Sequence, residues 1–427
     1  MTRSADRQFD VVVVGGGPAG IAAAVSAARE GRRVALVDDN PAEGGQIWRA
    51  GQALPRSAHR WIGGLRRSAV VHLRGTRVFD HPGAGVVAAE KGNERIELRY
   101  GKLILATGAR ELFLPFPGWT LPGICGAGGL DAMARGGLPV SGKRVVVAGT
   151  GPLLLAVAAH VAARGAKVVA ICEQAPLRSL IQFAGRMLGQ PAKLAQGIRY
   201  RWAVRAPMYF GCWPVEARGD GALEKVTLRT RLRRWTVTCD FLACGFHLVP
   251  NTELAQLIGC RIEDGLVAVD EMQRTSVENV LCAGEPTGIG GVEMAVIEGQ
   301  IAGLAAAGAL NEAGKFVPRR RKMLGFVRAL REAFVLDPEL RRLASDATIV
   351  CRCEDVVYGD LRRYSGWRDA KLQTRCGMGP CQGRICGAAA EFLFGWCVEG
   401  VRPPAFPVLV ASLATASTVS EEVQEGS

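Results

Sequence analysis

The sequence predicts an α/β protein with two nested Rossmann-like dinucleotide-binding domains and a small cysteine-rich domain near the C-terminus. Three observations carry this prediction: a complete glycine fingerprint near the N-terminus, a degenerate second copy further along, and five cysteines crowded between Cys351 and Cys386. A chain of 427 residues is long enough for two or three domains with proper cores. An apolar content of 48% is typical of a folded α/β protein rather than a disordered one.

The net charge of +13 does not predict a nucleic-acid-binding protein. The arginines are scattered along the chain, and the one dense run, Arg319–Lys322, has no aromatic-interleaved basic motif beside it. Most of these residues are therefore interpreted as a solvated basic face. A basic surface that helps to dock an acidic partner subunit is the alternative interpretation.

Two observations predict a cytoplasmic chain. No apolar run reaches the length that spans a membrane. A glycine cluster interrupts the apolar run near the N-terminus, which could otherwise be mistaken for a secretory signal. The 13 cysteines are then expected to be reduced thiols or metal ligands rather than disulfides. Peripheral association with the inner face of the membrane stays open.

The first fingerprint joins a strand, the segment Gly15–Gly20, an alanine-rich helix and a second strand. Its first glycine is expected to make the tight turn, its second to let the backbone approach a pyrophosphate, and its third to permit close helix–strand packing. Free N–H groups at the helix start would hold the phosphates, and an acidic residue ending the second strand would bind ribose hydroxyls. The unit predicts a dinucleotide site made of Gly15, Gly17, Pro18, Ala19, Gly20 and Asp38.

More distant segments indicate that this dinucleotide is FAD. A Gly-Gly-Gln loop follows the second strand, Leu103–Ala109 contains a strand that ends in Ala-Thr-Gly, and Asn279–Glu285 contains a strand that ends in Ala-Gly-Glu. A further glycine pair opens a helix aimed at the isoalloxazine ring. The additional residues predicted to bind FAD are Gly45, Gln46, Thr107, Gly108, Glu285, Gly291 and Val292.

A second fingerprint is nested inside the first. A strand from Lys143 leads into Gly149 and Gly151, but Leu154 stands where the third glycine would be, so strand and helix cannot pack as closely. Glu173 ends the next strand and would suit a ribose diol better than a 2′-phosphate, which favours NAD over NADP. Gly149, Gly151 and Glu173 thus form a candidate site for NAD or another nucleotide, and a purely structural domain is the equal alternative.

The cysteines Cys351, Cys353, Cys376 and Cys381 follow a CxC…CxxxxC pattern. Four thiolates from two short loops are what a [2Fe–2S] cluster needs, and the glycines between them let the backbone fold tightly around inorganic sulfides. Zinc is the competing ligand, although structural zinc usually takes CxxC-type knuckles. Cys386 lies on an apolar helical pattern with Phe392 and is interpreted as a core residue.

The first fingerprint and the strands that end in Ala-Thr-Gly and Ala-Gly-Glu resemble two-dinucleotide-domain flavoproteins of the thioredoxin reductase and ferredoxin reductase type. Glu285 departs from the Asp that this type usually carries, and Cys125 stands alone where a thioredoxin reductase has CxxC. The last domain resembles bacterioferritin-associated ferredoxin. With the segments Cys351–Asp355 and Cys376–Arg384, the whole chain resembles the FAD/[2Fe–2S] large subunits of heteromeric bacterial amine and amino-acid dehydrogenases. Members of that family include the large subunits of opine oxidase and hydrogen cyanide synthase, and the flavoprotein subunit of D-hydroxyproline dehydrogenase.

The resemblance implies a division of labour. A separate flavin-bearing oxidase subunit, similar to D-amino-acid oxidase, oxidises a C–N bond, and this chain carries the electrons to an acceptor. In relatives an additional FMN can lie at the subunit interface, and a small third subunit can be present. Two alternatives stay open: a self-sufficient NAD(P)H-dependent reductase that uses both dinucleotide folds, and a non-catalytic scaffold or iron-handling protein.

These interpretations predict a discontinuous FAD-binding domain, with a second Rossmann domain inserted into it. A linker that contains a helix then leads to the [2Fe–2S] domain and a polar tail. No catalytic base stands out anywhere in the sequence. The predicted bounds are 1–112 with 265–317 for the FAD-binding domain, 113–264 for the second Rossmann domain, 318–345 for the linker, 346–400 for the [2Fe–2S] domain and 401–427 for the tail.

Overall fold

The computed structural model describes residues 7–48, 54–187, 190–397 and 400–414. The predicted tail falls partly outside them. The first hundred or so residues form strands and helices in the order expected for a dinucleotide fold followed by an antiparallel meander. Their bounds are β1 (Gln8–Val14), α1 (Pro18–Arg29), β2 (Val34–Asp38), α2 (Arg56–Arg66), β3 (Val71–Arg74), β4 (Thr76–Gly83), β5 (Val86–Lys91) and β6 (Glu94–Leu105).

The middle of the chain forms a second α/β unit with an antiparallel three-stranded addition. Its bounds are β7 (Ala109–Glu111), β8 (Ile124–Gly126), α3 (Ala127–Arg135), β9 (Arg144–Gly149), α4 (Leu153–Ala162), β10 (Lys167–Glu173), α5 (Leu177–Arg186), α6 (Pro191–Ala203), β11 (Met208–Phe210), β12 (Trp213–Arg218), β13 (Lys225–Arg229), β14 (Arg234–Thr238), β15 (Phe241–Gly245) and β16 (Leu248–Pro250).

The rest of the chain returns to the first sheet and then forms the cysteine-rich region. Its bounds are α7 (Glu253–Ile258), β17 (Ile262–Glu263), β18 (Leu266–Val267), β19 (Val280–Cys282), α8 (Gly291–Ala306), α9 (Leu310–Gly314), α10 (Val317–Ala333), β20 (Ile349–Cys351), β21 (Val356–Val357), α11 (Tyr358–Leu361), α12 (Trp367–Thr374), α13 (Cys386–Phe394) and α14 (Val410–Ala414), with 3-10 turns at Glu285–Thr287 and Pro338–Arg342.

The first sheet has the strand order β3-β2-β1-β6-β5-β4, and β19 pairs with β6. β1 is parallel to β2 and β6, and β19 is parallel to β6, so these strands all end at one edge of the sheet. The valines of β1 are buried because helices or the meander cover both faces. This common edge is where the predicted FAD-binding segments meet.

Helices α1 and α8 pack on the first sheet with their backbones in close contact. A Cβ atom at Gly299 would lie 2.1 Å from the carbonyl oxygen of Ala19, and one at Gly303 would lie 2.3 Å from that of Ala23. Only glycine allows the two helices to approach this closely. The contact seats the helix that follows the Ala-Gly-Glu segment directly against the helix of the first fingerprint.

The second sheet has the order β11-β10-β9-β15-β8, and each pairing in it is parallel. Helices α5 and α6 connect β10 to β11 and account for most of the basic and aromatic insertion in the sequence. They leave large apolar side chains in water: Trp202 is 83% exposed and Ile181 is 63% exposed. Leu177 and Ile198 of the same helices are each 51% exposed, and a group of exposed apolar side chains indicates an interaction surface where a single one would not.

The basic run near residue 320 lies in α10. Arg320 forms an ion pair of 2.9 Å with Glu298, and both side chains are largely buried. Arg319, Arg321 and Lys322 are exposed, and the first two pair with Glu293 and Glu271. Arg320 therefore holds α10 against the first unit, while the other three residues of the run face solvent, as the sequence interpretation expects.

The cysteine-rich region has its own small core. Val350, Leu361 and Ala370 are fully buried there, with Trp367 7% exposed. The segment after it returns to the meander of the first sheet, where the Ala405 amide donates to the Phe79 carbonyl over 2.7 Å. Within the residues that the structure describes, no helix is long and apolar enough to cross a membrane.

Candidate functional site

The glycine loop after β1 has the geometry that the first fingerprint predicts. Gly15 has a φ of +108°, and a Cβ atom there would lie 2.2 Å from the Ala106 carbonyl oxygen. A Cβ atom at Gly20 would lie 1.8 Å from the Gly15 carbonyl oxygen. By contrast, a Cβ atom at Gly17 would meet no atom of the described residues within 4 Å. The close backbone approach therefore requires glycine at Gly15 and Gly20, while Gly17 leaves open space at the start of α1.

Asp38 lies at the end of β2 and is 5% exposed. Its Oδ1 atom accepts hydrogen bonds from the backbone and side-chain nitrogens of Asn40 at 3.1 and 2.8 Å. Its Oδ2 atom is buried and has no hydrogen-bond partner among the described residues. Burial raises the pKa of Asp38, although the Asn40 bonds oppose this. A buried, unsatisfied carboxylate oxygen fits the hydroxyl of a bound ribose.

The other predicted FAD segments converge on this loop. A Cβ atom at Gly45 would lie 2.9 Å from the Cα atom of Gly17, and one at Gly284 would lie 2.9 Å from the Cβ atom of Ala19. Thr107 and Gly108 follow the end of β6, the strand next to β1. Of the remaining predicted residues, Gln46 and Gly291 are exposed and Val292 is half-buried.

Glu285 lies in the 3-10 turn that follows Gly284. Burial raises the pKa of its carboxyl group. Within the described part of the chain this carboxyl group has neither a hydrogen-bond donor nor an ion-pair partner, so it is available to a ligand. The turn itself is held by Glu298 of α8, which accepts from the Gly284 amide at 3.0 Å and from the Thr287 hydroxyl at 2.9 Å. Sequence reasoning missed Glu298, because an acid within a largely apolar helix gives no signal of its partners.

A short polar chain connects the predicted FAD loop to the cysteine-rich region. The Thr107 hydroxyl donates to the Asn251 carbonyl at 2.6 Å, and the Asn251 amide donates back to the Thr107 carbonyl at 2.9 Å. Arg110 donates to the Asn251 side chain at 2.8 Å and to the Arg384 carbonyl at 2.9 Å. Two residues therefore separate Thr107 from the loop that carries Cys381.

Five cysteines meet in the cysteine-rich region. The Sγ atoms of Cys351, Cys376 and Cys386 lie within 4.8 Å of one another, in a group that could hold a metal ion. A hydrogen bond with the Cys386 thiol lowers the pKa of Cys381 to about 5, and Cys381 also contacts the Cys353 thiol. The sequence interpretation of Cys386 as a core residue is incomplete, because this buried side chain at the start of α13 belongs to the thiol cluster.

Glycines bring the two cysteine loops together. A Cβ atom at Gly379 would lie 2.3 Å from the Cβ atom of Cys353, and one at Gly377 would lie 2.6 Å from the Trp367 ring. An adjoining cavity of about 70 Å³ is lined by four of the five cysteines. Its lining residues are Cys351, Cys353, Cys381, Cys386, Phe113, Trp119, Arg352 and Ile385. The soft sulfur donors around this cavity fit an iron–sulfur cluster.

Cys125 does not contribute a reactive thiol. It lies on β8, where burial raises its pKa to about 12. A thiol with that pKa is protonated near neutral pH and is a poor nucleophile. The chemistry of a dithiol reductase therefore has no support at this position.

The second glycine loop has a different environment. Gly149 has a φ of +143°, and a Cβ atom there would lie 2.1 Å from the Gly245 carbonyl oxygen. The Gly151 amide donates to Glu173 at 2.8 Å, and Leu154 is fully buried against Gly245. The structure thus brings Gly149, Gly151 and Glu173 together, but it satisfies the carboxylate internally.

Comparison with known proteins gives the family. The model of the pyridine nucleotide-disulphide oxidoreductase family matches residues 9–300. The chain belongs to this family. Its relatives include hydrogen cyanide synthase subunit HcnB of Pseudomonas aeruginosa, which is 31% identical over 92% of each chain. An opine oxidase subunit of Rhizobium meliloti is 29% identical over 95% of this chain and 98% of its own. The predicted resemblance to subunits of heteromeric oxidoreductases is confirmed.

Solved structures agree on the fold of this pyridine nucleotide-disulphide oxidoreductase. L-proline dehydrogenase from P. horikoshii superposes with a TM-score of 0.67 over 95% of this chain and 79% of its own, at 19% identity. Thioredoxin reductase from T. acidophilum has a TM-score of 0.56 over 71% of this chain and 99% of its own, at 24% identity. The predicted α/β, thioredoxin reductase-like fold class is therefore confirmed.

Proposed function

We propose that the chain is the electron-transferring flavoprotein and iron–sulfur subunit of a heteromeric amino-acid or opine dehydrogenase. Its partner subunit would oxidise a secondary amine, and this chain would pass the electrons to an acceptor. The observation that carries the proposal is the polar chain from Thr107 through Asn251 and Arg110 to Arg384, which joins the two candidate cofactor sites. The relatives named above, which match nearly the full length, are subunits of such enzymes.

In this proposal the first site holds FAD. The open space at Gly17 would admit the pyrophosphate, and the unsatisfied oxygen of Asp38 would accept from the ribose. Glu285 and the backbone of Thr107–Gly108 would face the remainder of the cofactor. When bound, FAD would supply two-electron chemistry and an iron–sulfur cluster would supply single-electron steps.

The second site would hold a [2Fe–2S] cluster. Because the cavity is lined by Cys351, Cys353, Cys381 and Cys386, these four are the proposed ligands. This set replaces Cys376 of the sequence prediction by Cys386. Cys376 is fully buried, and its backbone amide donates to the Thr374 hydroxyl at 3.2 Å. Because its Sγ atom lies within 4.8 Å of those of Cys351 and Cys386, the set predicted from spacing is the alternative that experiment must distinguish.

The partner in this proposal is a flavin-bearing subunit similar to D-amino-acid oxidase, with an FMN at the shared interface and a small third subunit in the complete assembly. Helices α5 and α6 offer a docking face for the flavin-bearing subunit. Between Glu173 and Glu216 the sequence has no acidic residue, and it has six basic ones: Arg178, Arg186, Lys193, Arg199, Arg201 and Arg205. Exposed Trp202 and Ile181 among these cations suit an acidic protein surface with apolar pockets.

The division into domains and the cellular location are part of the same proposal. The FAD-binding domain would comprise 1–112 and 265–317, the second Rossmann domain 113–264, the linker 318–345, the [2Fe–2S] domain 346–400 and the tail 401–427. The assembly would act in the cytoplasm, and peripheral association with the inner face of the membrane is compatible with that location.

Purification from the native host tests the proposal. We expect co-purification of a second flavoprotein, with FAD, about two irons and about two labile sulfides per copy of this chain. Trp202→Glu should lose the partner, whereas Leu232→Glu should keep it, because Leu232 is 97% exposed in the turn between β13 and β14, outside α5 and α6. One zinc per chain without labile sulfide would contradict the cluster. Binding of the Trp202-dependent face to anionic vesicles instead of a protein would contradict the docking assignment.

A further inference from the structure

The second sheet has a place where a nucleotide would be expected to bind. From β9 the strand order runs through β10 to β11 on one side, and through β15 to β8 on the other. In parallel α/β sheets, dinucleotides bind outside the carboxyl ends of the strands at such a reversal. That crevice lies between the segments that follow β9, β10 and β15.

Glu173 lies at the end of β10, on one side of this crevice, and its carboxylate is fully hydrogen-bonded within the chain. Its Oε2 atom accepts from the Gly151 amide at 2.8 Å, and its Oε1 atom accepts from the Thr150 hydroxyl and the Ala175 amide at 2.8 Å each. The residue is 1% exposed. Asp38, at the equivalent place in the first fold, keeps a buried oxygen without a partner in the described chain. Asp38 therefore has an oxygen atom free to accept from a ribose, whereas the Glu173 carboxylate already accepts three hydrogen bonds within the described chain.

The segment after α10 crosses the same crevice. The Gln174 side chain donates to the Val335 carbonyl at 3.0 Å and accepts from the Asp337 amide at 2.9 Å. On the other side, the His247 ring nitrogen Nε2 lies 2.9 Å from the Phe334 carbonyl oxygen. Gln174 follows β10 and His247 follows β15, so the segment 334–337 spans both walls.

Apolar contacts hold this segment in place. Leu336 packs against the core beneath the second sheet, and Leu340 in the following turn is fully buried in that core. The Gln174 side chain is itself 1% exposed and also donates to the Thr150 hydroxyl at 3.0 Å. A nucleotide could enter only if this buried network opened.

We propose that segment 334–337 of the chain prevents nucleotides from binding to the second dinucleotide fold. The fold instead binds the linker that leads to the cysteine-rich region. Gln174, which directly follows β10, is the clasp of this arrangement: its side chain holds segment 334–337 through hydrogen bonds with Val335 and Asp337. This inference goes beyond the proposed function and does not require it, since it concerns only how the linker is held.

The first test is nucleotide binding to the full chain with its first site saturated by FAD. We expect no saturable binding of NADH, NADPH or ATP by calorimetry up to millimolar concentrations. One equivalent of any of these nucleotides bound by the wild-type chain, with its first site filled by FAD, would overturn the closure.

The second test is limited trypsin digestion, which reports on the linker. Arg341 and Arg342 are exposed cleavage sites in the 3-10 turn that directly follows segment 334–337. We expect Gln174→Ala to be cut there about tenfold faster than wild type, the factor that the loss of one or two hydrogen bonds gives. The matched control is Gln196→Ala, which removes an exposed glutamine whose side chain bonds Tyr200 on α6.

The outcomes are distinguishable from a general loss of structure and from failure of the proposed function. Circular dichroism and the thermal midpoint identify a variant that does not fold. In that case Gln174→Met, which keeps the length of the side chain without its hydrogen bonds, replaces it and should be cut faster than wild type. Cleavage of a folded Gln174→Ala at the wild-type rate would overturn the clasp. Neither measurement uses dehydrogenase activity, so both results stand if the chain proves to have another partner.

Discussion

Gly17 is the residue at which the first site can be tested most directly. Its backbone is extended, with φ −78° and ψ −175°, so a β-branched residue can occupy it without strain. A valine side chain would instead fill the space that the pyrophosphate of FAD needs. Gly17→Val should therefore purify folded and lose its flavin absorbance, whereas Gly185→Val, on the exposed side of α5, should keep a full complement. A flavin-replete Gly17→Val protein would show that the assigned site is wrong.

The cysteine ligands can be separated by two single substitutions. Cys386→Ser should abolish the visible absorption of the cluster and the bound iron while FAD stays bound, because Cys386 lines the cavity. Cys376→Ser should keep most of the iron, because Cys376 lies outside the lining of that cavity within the described residues. Iron and labile sulfide analysis decides between them. Loss in Cys376→Ser with retention in Cys386→Ser would restore the ligand set predicted from spacing.

The sequence identifies the cysteine cluster, but it does not show that Cys386 lies beside the predicted ligands. Cys376 and Cys381 are separated by four residues, and so are Cys381 and Cys386. Spacing alone therefore offers two equivalent CxxxxC pairs, and apolar neighbours favoured a core interpretation of Cys386. The choice depends on how α13 begins beside the loop of Cys351, which is a tertiary contact and leaves no local pattern in the sequence.

At the scale of secondary-structure elements, Arg110 of β7 connects the candidate FAD site to the cysteine-rich region through hydrogen bonds. It bonds Asn251 and the Arg384 carbonyl, and it pairs with Glu253 at 2.7 Å. Arg110→Ala should slow electron passage from bound flavin to the cluster roughly tenfold, since the lost hydrogen bonds let the cysteine loop move away. Stopped-flow absorbance after rapid flavin reduction measures this step.

The control for Arg110 is Arg261→Ala, which breaks an exposed ion pair with Glu263 that is not part of the polar chain from Thr107 to Arg384. It should leave the rate unchanged, because exposed pairs contribute little. Iron and flavin contents of both variants must match the wild type, so that only the rate is compared. An Arg110→Ala protein with the wild-type rate would mean that the polar chain does not position the cluster.

The elements near the first site could be predicted well because each has a local signature. The strand, glycine loop, helix and acid of Gln8–Asp38 all appear where the fingerprint indicates them. The role of α10 could not be predicted, since Pro318 and the arginines after it indicate a hinge or a basic surface. Its partners Glu293, Glu298 and Glu271 come from other segments, and only folding brings them to the helix.

At the scale of the whole molecule, one chain carries two candidate cofactor sites and a second dinucleotide fold whose crevice its linker crosses. The first sheet, the second sheet and the cysteine-rich region each have a buried core, and the linker buries Leu340 in the second of them. In the proposed function, electrons would enter through the FAD and leave through the iron–sulfur cluster, and another subunit would oxidise the substrate. The chain would then differ from reductases that take electrons directly from NAD(P)H.

The lone chain under anaerobic conditions tests this separation. Mixed with NADH, the bound flavin should bleach slowly at best, because segment 334–337 crosses the second crevice and buried Leu154 replaces its third glycine. Mixed separately with D-hydroxyproline, opines, glycine or proline, it should not bleach, because the sequence predicts no substrate-binding constellation beside the proposed flavin site. Reduction by one of these amines should appear only after the flavin-bearing partner is added. Fast bleaching by NADH would favour a self-sufficient reductase, and fast bleaching of the lone chain by an amine would overturn the division of labour between two subunits.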